Sequence, residues 1–331
     1  MPTGAVIFGC AGPELTADEA TFFAGAQPWG FILFARNVHA PDQLRKLTGD
    51  LRDAVGWNAP VMIDQEGGRV QRMRAPQWRE YLPALDQMAR ASDPMRAMWL
   101  RNRLIAEELL AVGIDVNCAP VADLVEPDTH PVLLNRLYGK DVDTVVAASA
   151  ACADGLLAGG VLPVVKHLPG YGRASVDPHL GLPRVSVPLD ALDARDFAPF
   201  KALVNLPMAM TAHIIVEALD PDRPATVSPV VMTAIRERIG YGGLILTDDI
   251  SMEALSGTVT DRAAASWAAG CDIVLHCNGE MADMEAIAAV APALTGPAQA
   301  RAEAALAARR PPVPIDISSV LAEFEGLLTK P

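Results

Sequence analysis

Eight short apolar runs, spread over the first 280 residues, constrain what this chain can fold into more than any other feature. They are TGAVIFGC (3–10), GFILFA (30–35), PVMIDQ (60–65), GIDVNCAP (113–120), GVLPVVKH (160–167), MAMTAHIIV (208–216), GGLILTDD (242–249) and CDIVLHCN (271–278). Each is rich in Val, Ile or Leu without polar alternation, the pattern of a parallel strand covered on both faces. Between them lie helix-like stretches such as APDQLRKLTGDLRDAVG and DVDTVVAASAACADGLLAGG. Several open on Asp or Pro and close on Gly, which start and stop helices. Eight strands alternating with helices predict an α/β fold, a single (β/α)8 TIM-type barrel with local irregularities, over residues 1–296. A doubly wound sheet would want a GxGxxG turn after the first run, and FGCAGPELT does not supply one. Residues 297–331 start Ala/Arg/Pro-rich and end in SSVLAEFEGLL, so a helical extension packed on the barrel is expected there rather than a further domain.

Composition narrows the function classes. Half of the 331 residues are apolar and a fifth are charged, which suits a large core and argues against disorder. A net charge of −13 disfavours a nucleic-acid partner, which would want a basic face. The five cysteines are odd in number, scattered and without a CxxC pair, so they read as buried reduced thiols. The first apolar run follows no basic segment, and no run reaches the roughly 18–20 residues that span a bilayer. A cytoplasmic monomer without a membrane partner is the expectation.

In a barrel the βα connections form the C-terminal face, where active sites are built. Two of them are long, 66–90 and 168–190, and long connections are more often functional. Polar residues also stand where strands end: Asp64, Gln65 and Glu66, then Asn117, Lys166 and His167, His213, and Asp248 with Asp249. Singly, His213, Asn117 and Asp123 read as satisfied structural residues. DQEGGRVQRM (64–73) reads equally as a tight turn with solvated arginines or as a polar clamp for hydroxyls. Of Asp248 and Asp249 only one can face the barrel axis, and apolar flanks on both faces leave the choice open. In KHLPGYGRASVDPH (166–179), Pro178 biases Asp177 towards extended backbone, so Asp177 and His179 can project to one side. A carboxylate on one imidazole nitrogen makes the other a better proton acceptor. From composition alone, an Asx turn and a solvated loop histidine are the plainer reading of that pair.

MIDQEGGRVQR, KHLPGYGRASVDPH and LTDDISM, in that order, resemble the signature segments of the family 3 glycoside hydrolases. GFILFARNV, GIDVNCAPVADL and GCDIVLHCN fit as well, so the resemblance covers most of residues 3–280. It is nearest to the single-domain bacterial β-N-acetylglucosaminidases of cell-wall recycling. The resemblance implies Asp248 as nucleophile and His179 as acid/base, oriented by Asp177. It implies that Asp64, Arg72, Lys166, His167 and, by a looser match at LNRLYG, Arg136 hold the sugar. It implies a carbohydrate or muropeptide substrate and neither metal nor other cofactor. Three departures stand out: KHFPGHG is KHLPGYG, placing Tyr171 where the family has a histidine; D-S-H is D-P-H at Pro178; and a GERS-like segment lacks its Glu and Ser. Tyr171 is shared with the β-glucosidase branch, but that branch lacks Asp-x-His, so the retained pair favours the glucosaminidase reading.

The implied reaction is retaining hydrolysis through a covalent glycosyl-enzyme, with a His–Asp pair in place of the usual second carboxylate. Rivals are a β-glucosidase or N-acetylglucosamine phosphorylase of the same family, a non-catalytic sugar-binding barrel, and a Schiff-base lyase built on Lys166. A metal hydrolase is weaker, since no HxH or HExxH occurs.

Overall fold

In the computed structural model, which describes residues 3–174 and 182–329, the apolar runs form the staves of a closed parallel barrel. The strands are β1 (Gly4–Gly9), β2 (Pro28–Leu33), β3 (Val61–Ile63), β4 (Val116–Asn117), β5 (Leu162–Leu168), β6 (Met208–Thr211), β7 (Leu244–Asp249) and β8 (Ile273–His276). Each pairs with its sequence neighbours, and β8 pairs with β1 to close the ring. The helix signals work as read. Pro41 opens the helix Pro41–Val55 and Gly56 ends it with φ 73°. Asp141 caps the helix Val142–Ala158 by accepting from the Thr144 amide.

Side chains alternate between two apolar layers. Ile7, Met62, Val164, Leu246 and Leu275 fill the barrel. Val6, Ile63, Val165, Ile245 and Val274 pack outward against the helices. Some runs are only partly strand. After Ile63 the chain leaves the barrel for a small antiparallel hairpin, Gln65–Gly67 with Val70–Gln71. The 208–216 run splits, and Ile215–Val216 pairs with Arg184–Val185 instead of continuing β6. Beyond β8, the helix Gly296–Ala307 brings Arg301 to Asp272 below the barrel, and the helix Ile317–Leu328 lies on Pro94–Leu110, where Glu323 meets Arg96. Among the described residues no helix is long and apolar enough to cross a membrane.

Candidate active site

Strand parity decides which polar residues enter the barrel mouth. Met62, Val164 and Leu246 face the interior, so Asp64, Lys166 and Asp248, each two residues further on, face it as well. All three line one pocket at the C-terminal end of the barrel. The choice between the two aspartates is thereby made: Asp248 points along the interior row, while the Asp249 carboxylate turns back to its own loop. There it accepts from Ser251 Oγ at 2.6 Å, Ser251 N at 3.1 Å and Cys277 N at 3.2 Å. The β5–β6 ladder shifts register between Lys166 and Leu168, and His167 lines the same pocket as Lys166.

Lys166 is the hub of a buried charge cluster. Its Nζ lies 2.8 Å from Asp64 Oδ1 and 2.7 Å from Glu66 Oε1. Arg72 reaches Asp64 at 3.1 Å, and Arg136 forks onto Glu66 at 2.9 and 2.8 Å. Burial alone would raise the Asp64 carboxyl, but Lys166 and Arg72 outweigh it and hold it well below the usual carboxylate range. Burial likewise opposes the Glu66 charge, and Arg136 and Lys166 bring that carboxyl down to about 2. Against its own desolvation, Lys166 is pushed up by the same two carboxylates, so it remains an ammonium. A Schiff-base nucleophile needs the free amine, and this setting disfavours it. Two carboxylates against three cations leave the cluster net positive on the floor beside Asp248.

The hairpin that carries Asp64, Glu66 and Arg72 depends on its glycines. Gly67 and Gly68 adopt φ of 100° and 60°, and a Cβ on Gly67 would sit 1.8 Å from Arg101 Nη2. Arg101, itself buried, donates to the Glu66 carbonyl and to the Leu82 carbonyl at 2.8 Å. DQEGGRVQRM thus forms a tight turn, and its second arginine, Arg72, is not solvated but enters the charge cluster. Arg69 instead reaches the Val132 carbonyl at the pocket rim.

Three residues that read as structural from sequence divide differently. Asn117 is structural, exchanging bonds with the Gln65 backbone at 3.0 and 3.1 Å. Asp123 accepts from His167 Nδ1 at 2.8 Å and from the Tyr171 amide at 2.6 Å, which fixes the imidazole and leaves Nε2 beside Arg136, 3.5 Å away. His213 lines the pocket next to Asp248 and Asp249. Sequence reasoning gave Glu66 and Asp123 no part in holding the pocket's cations and histidine, although both lie inside motif-bearing segments. Their partners are 70 and 44 residues away in the chain, a separation with no local signal. Asp177 and His179 lie outside the described residues. On one side their segment is flanked by Ala174, whose carbonyl accepts from His130 N, and on the other by Pro183, whose carbonyl accepts from Ile215 N. Among the described residues no group of three or more His, Cys, Asp or Glu could hold a metal ion.

A convergent polar pocket of this kind on a barrel mouth suits a small hydroxylated ligand, and comparison with known proteins places the chain. Residues 14–308 match the glycosyl hydrolase family 3 N-terminal domain. The β-hexosaminidase of Methylococcus capsulatus is 36% identical over 329 residues, 96% of this chain and 95% of that protein. That of Alkalilimnicola ehrlichii is 37% identical over 286 residues, 84% of this chain and 82% of that protein. Among solved structures, NagZ from Neisseria gonorrhoeae in complex with N-trifluoroacetyl-D-glucosamine superposes with a TM-score of 0.88 at 30% identity, covering 100% of this chain and 99% of that one. With its eight-stranded parallel barrel and the matched segments in order around the mouth, the chain belongs to glycosyl hydrolase family 3 and groups there with the β-hexosaminidases.

Proposed function

We propose that this glycoside hydrolase is a retaining exo-β-N-acetylglucosaminidase. It removes non-reducing terminal N-acetylglucosamine from peptidoglycan fragments, N-acetylglucosaminyl-1,6-anhydro-N-acetylmuramyl peptides, in the cytoplasm, and acts as a monomer. The observation that carries the reading is the place of Asp248: the last inward residue of β7, in one pocket with Asp64, Lys166 and Arg72. A carboxylate there can attack an anomeric carbon whose hydroxyls are held by the charged floor. Asp64 accepts from hydroxyls, Lys166, Arg72 and Arg136 donate to the same ligand, and the Nε2 edge of His167 faces it, while Glu66 holds Lys166 and Arg136 from behind.

The reaction runs in two steps. Asp248 attacks the anomeric carbon as His179, oriented by Asp177, protonates the departing oxygen, and a glycosyl-enzyme forms. His179 then takes a proton from water, which attacks the same carbon and releases the sugar with its configuration kept. A neutral imidazole beside Asp248 avoids the repulsion that a second carboxylate would feel. No step calls for a metal.

Asp248→Ala should abolish turnover of p-nitrophenyl N-acetylglucosaminide while leaving the circular-dichroism spectrum unchanged. Mass spectrometry of wild type quenched with a slow fluorinated substrate should find the sugar on the peptide containing Asp248. Normal turnover by Asp248→Ala would remove it as nucleophile. Running glucoside and N-acetylglucosaminide substrates with and without phosphate separates this reading from the β-glucosidase and phosphorylase alternatives. Tyr171 in the pocket wall is the feature that keeps the glucoside arm worth running.

A further inference from the structure

Asp248 does not stand alone at the end of β7. Its Oδ1 accepts from the backbone N–H of Asp249 at 2.8 Å, so the attitude of its carboxylate is set by how the Asp249 peptide is held. That residue is held at two other points. Its carboxylate is tied to Ser251 and to the Cys277 amide, as described above. Its carbonyl oxygen lies 2.9 Å from His213 Nε2.

The chemistry of the partners fixes the proton on His213. A carbonyl oxygen only accepts, so Nε2 carries the hydrogen. In the neutral ring Nδ1 is then an acceptor, 2.8 Å from the Thr226 hydroxyl, which is also 3.1 Å from the Ala212 carbonyl. Thr226 Oγ1 in turn lies 2.8 Å from the Thr211 hydroxyl. A hydrogen-bonded chain results, joining Thr211, Thr226, His213 and the Asp249 carbonyl and crossing from β6 to β7 beneath the pocket. Every member except Asp249 is buried. The groups facing the His213 ring are Asp248, Asp249 and His167. Burial pushes the His213 imidazole down from its ordinary value, which favours the neutral form.

We infer that His213 and Asp249 are positioning residues that aim the Asp248 carboxylate: His213 by locking the Asp249 carbonyl to β6, Asp249 by presenting its amide to Asp248 Oδ1. This role rests on Asp248 being the nucleophile. It makes His213 more than a satisfied core histidine, because its one ligand-facing bond terminates on the residue that orients the attacking group.

Paired amide substitutions test it. Gln at 213 places its NH2 near the Nε2 position and can still donate to the Asp249 carbonyl; Asn places its amide near Nδ1 and cannot reach it. His213→Asn should lower kcat for p-nitrophenyl N-acetylglucosaminide about tenfold to a hundredfold, with KM within about threefold of wild type. His213→Gln should recover most of that loss. Thr226→Val, which removes the hydroxyl beside Nδ1 together with its contacts to Thr211 and the Ala212 carbonyl but leaves the Nε2 bond in place, should give a smaller fall in kcat. Equal kcat for Asn, Gln and wild type would overturn the inference. So would equal losses for Asn and Gln with matched melting temperatures, since a packing role would not tell the two amides apart. Asp248→Asn run alongside separates the two ideas: if it stays active, the nucleophile assignment fails; if it is dead while His213→Asn turns over normally, only the positioning role fails.

Discussion

At the barrel mouth Asp64 is held by Lys166 at 2.8 Å and Arg72 at 3.1 Å; at the opposite end Asp115 has Arg309 at 2.7 Å and Arg52 at 3.3 Å. Asp272 repeats the second arrangement with Arg236 and Arg301, and Arg301 and Arg309 both come from the chain beyond β8. The difference lies in the remaining partners. Asp115 and Asp272 stand just before β4 and β8 and each accepts a backbone N–H from the neighbouring strand, Val61 at 2.8 Å and Ile245 at 2.9 Å. Their oxygens are used up in joining strands and pinning the C-terminal helices. Among the described residues Asp64 accepts only from side chains, and it opens on the pocket. The same pairing of carboxylate with cations therefore builds a seam at one end and a site at the other. Its electrostatics follow suit. Burial raises the Asp115 carboxyl despite Arg309 and Arg52, whereas at Asp64 the cations win.

Lys166→Met should break the comparison most sharply. It removes the cation that bridges two buried carboxylates, leaving Asp64 to Arg72 alone and Glu66 to Arg136 alone, and losing one member of such a buried pair costs roughly 2–5 kcal/mol. Expressed in binding of the reacting sugar, that is a fall in kcat/KM of about thirtyfold or more. If only the melting temperature fell, the upper cluster would be as structural as the lower one. Asp272→Ala supplies the mirror measurement. It leaves Arg236 and Arg301 facing an empty seam, so urea unfolding should show a loss of about 3–5 kcal/mol while kcat and KM hold. A matching loss of activity would mean that the two ends are not separable. Deleting residues 297–331, which we read as an extension of the barrel, removes Arg301 and Arg309 together and should give a stability loss of the same kind.

The smallest effect concerns pH. Glu66 sits at about 2 against an ordinary 4.5, so its stabilisation is complete above pH 4.5 and is lost as pH falls towards 2. Asp115 is raised above its ordinary 3.8, so its contribution has the opposite sign, present in acid and lost as pH rises through its folded value. Glu66→Gln should flatten the fall in unfolding free energy between about pH 4.5 and 2, and Asp115→Asn should steepen the acid side. Identical slopes for the two variants would contradict the assignment of opposite signs.

Much of this is legible in the chain itself. The eight apolar runs, the capping residues at Pro41, Gly56 and Asp141, and the polar strand ends suffice for a barrel with a polar mouth. DQEGGRVQR announces its hairpin through two adjacent glycines. Asn117 shows where such reading stops: a polar strand-end residue looks alike in sequence whether it clasps backbone or faces a ligand.

Local chemistry along the chain sets the number of barrel strands, their order and the segments that meet at the mouth, because hydropathy period and turn chemistry act over a few residues. That Asp248 rather than Asp249 faces the axis, and that Lys166 bridges Asp64 and Glu66 from 102 and 100 positions away, emerges only once the barrel is closed. The reason is physical. A strand buried on both faces carries Leu244 and Leu246 inward and Ile245 outward with almost the same hydropathy, so parity is invisible until the ring closes. Charges held by partners on other strands leave no mark on their own neighbours.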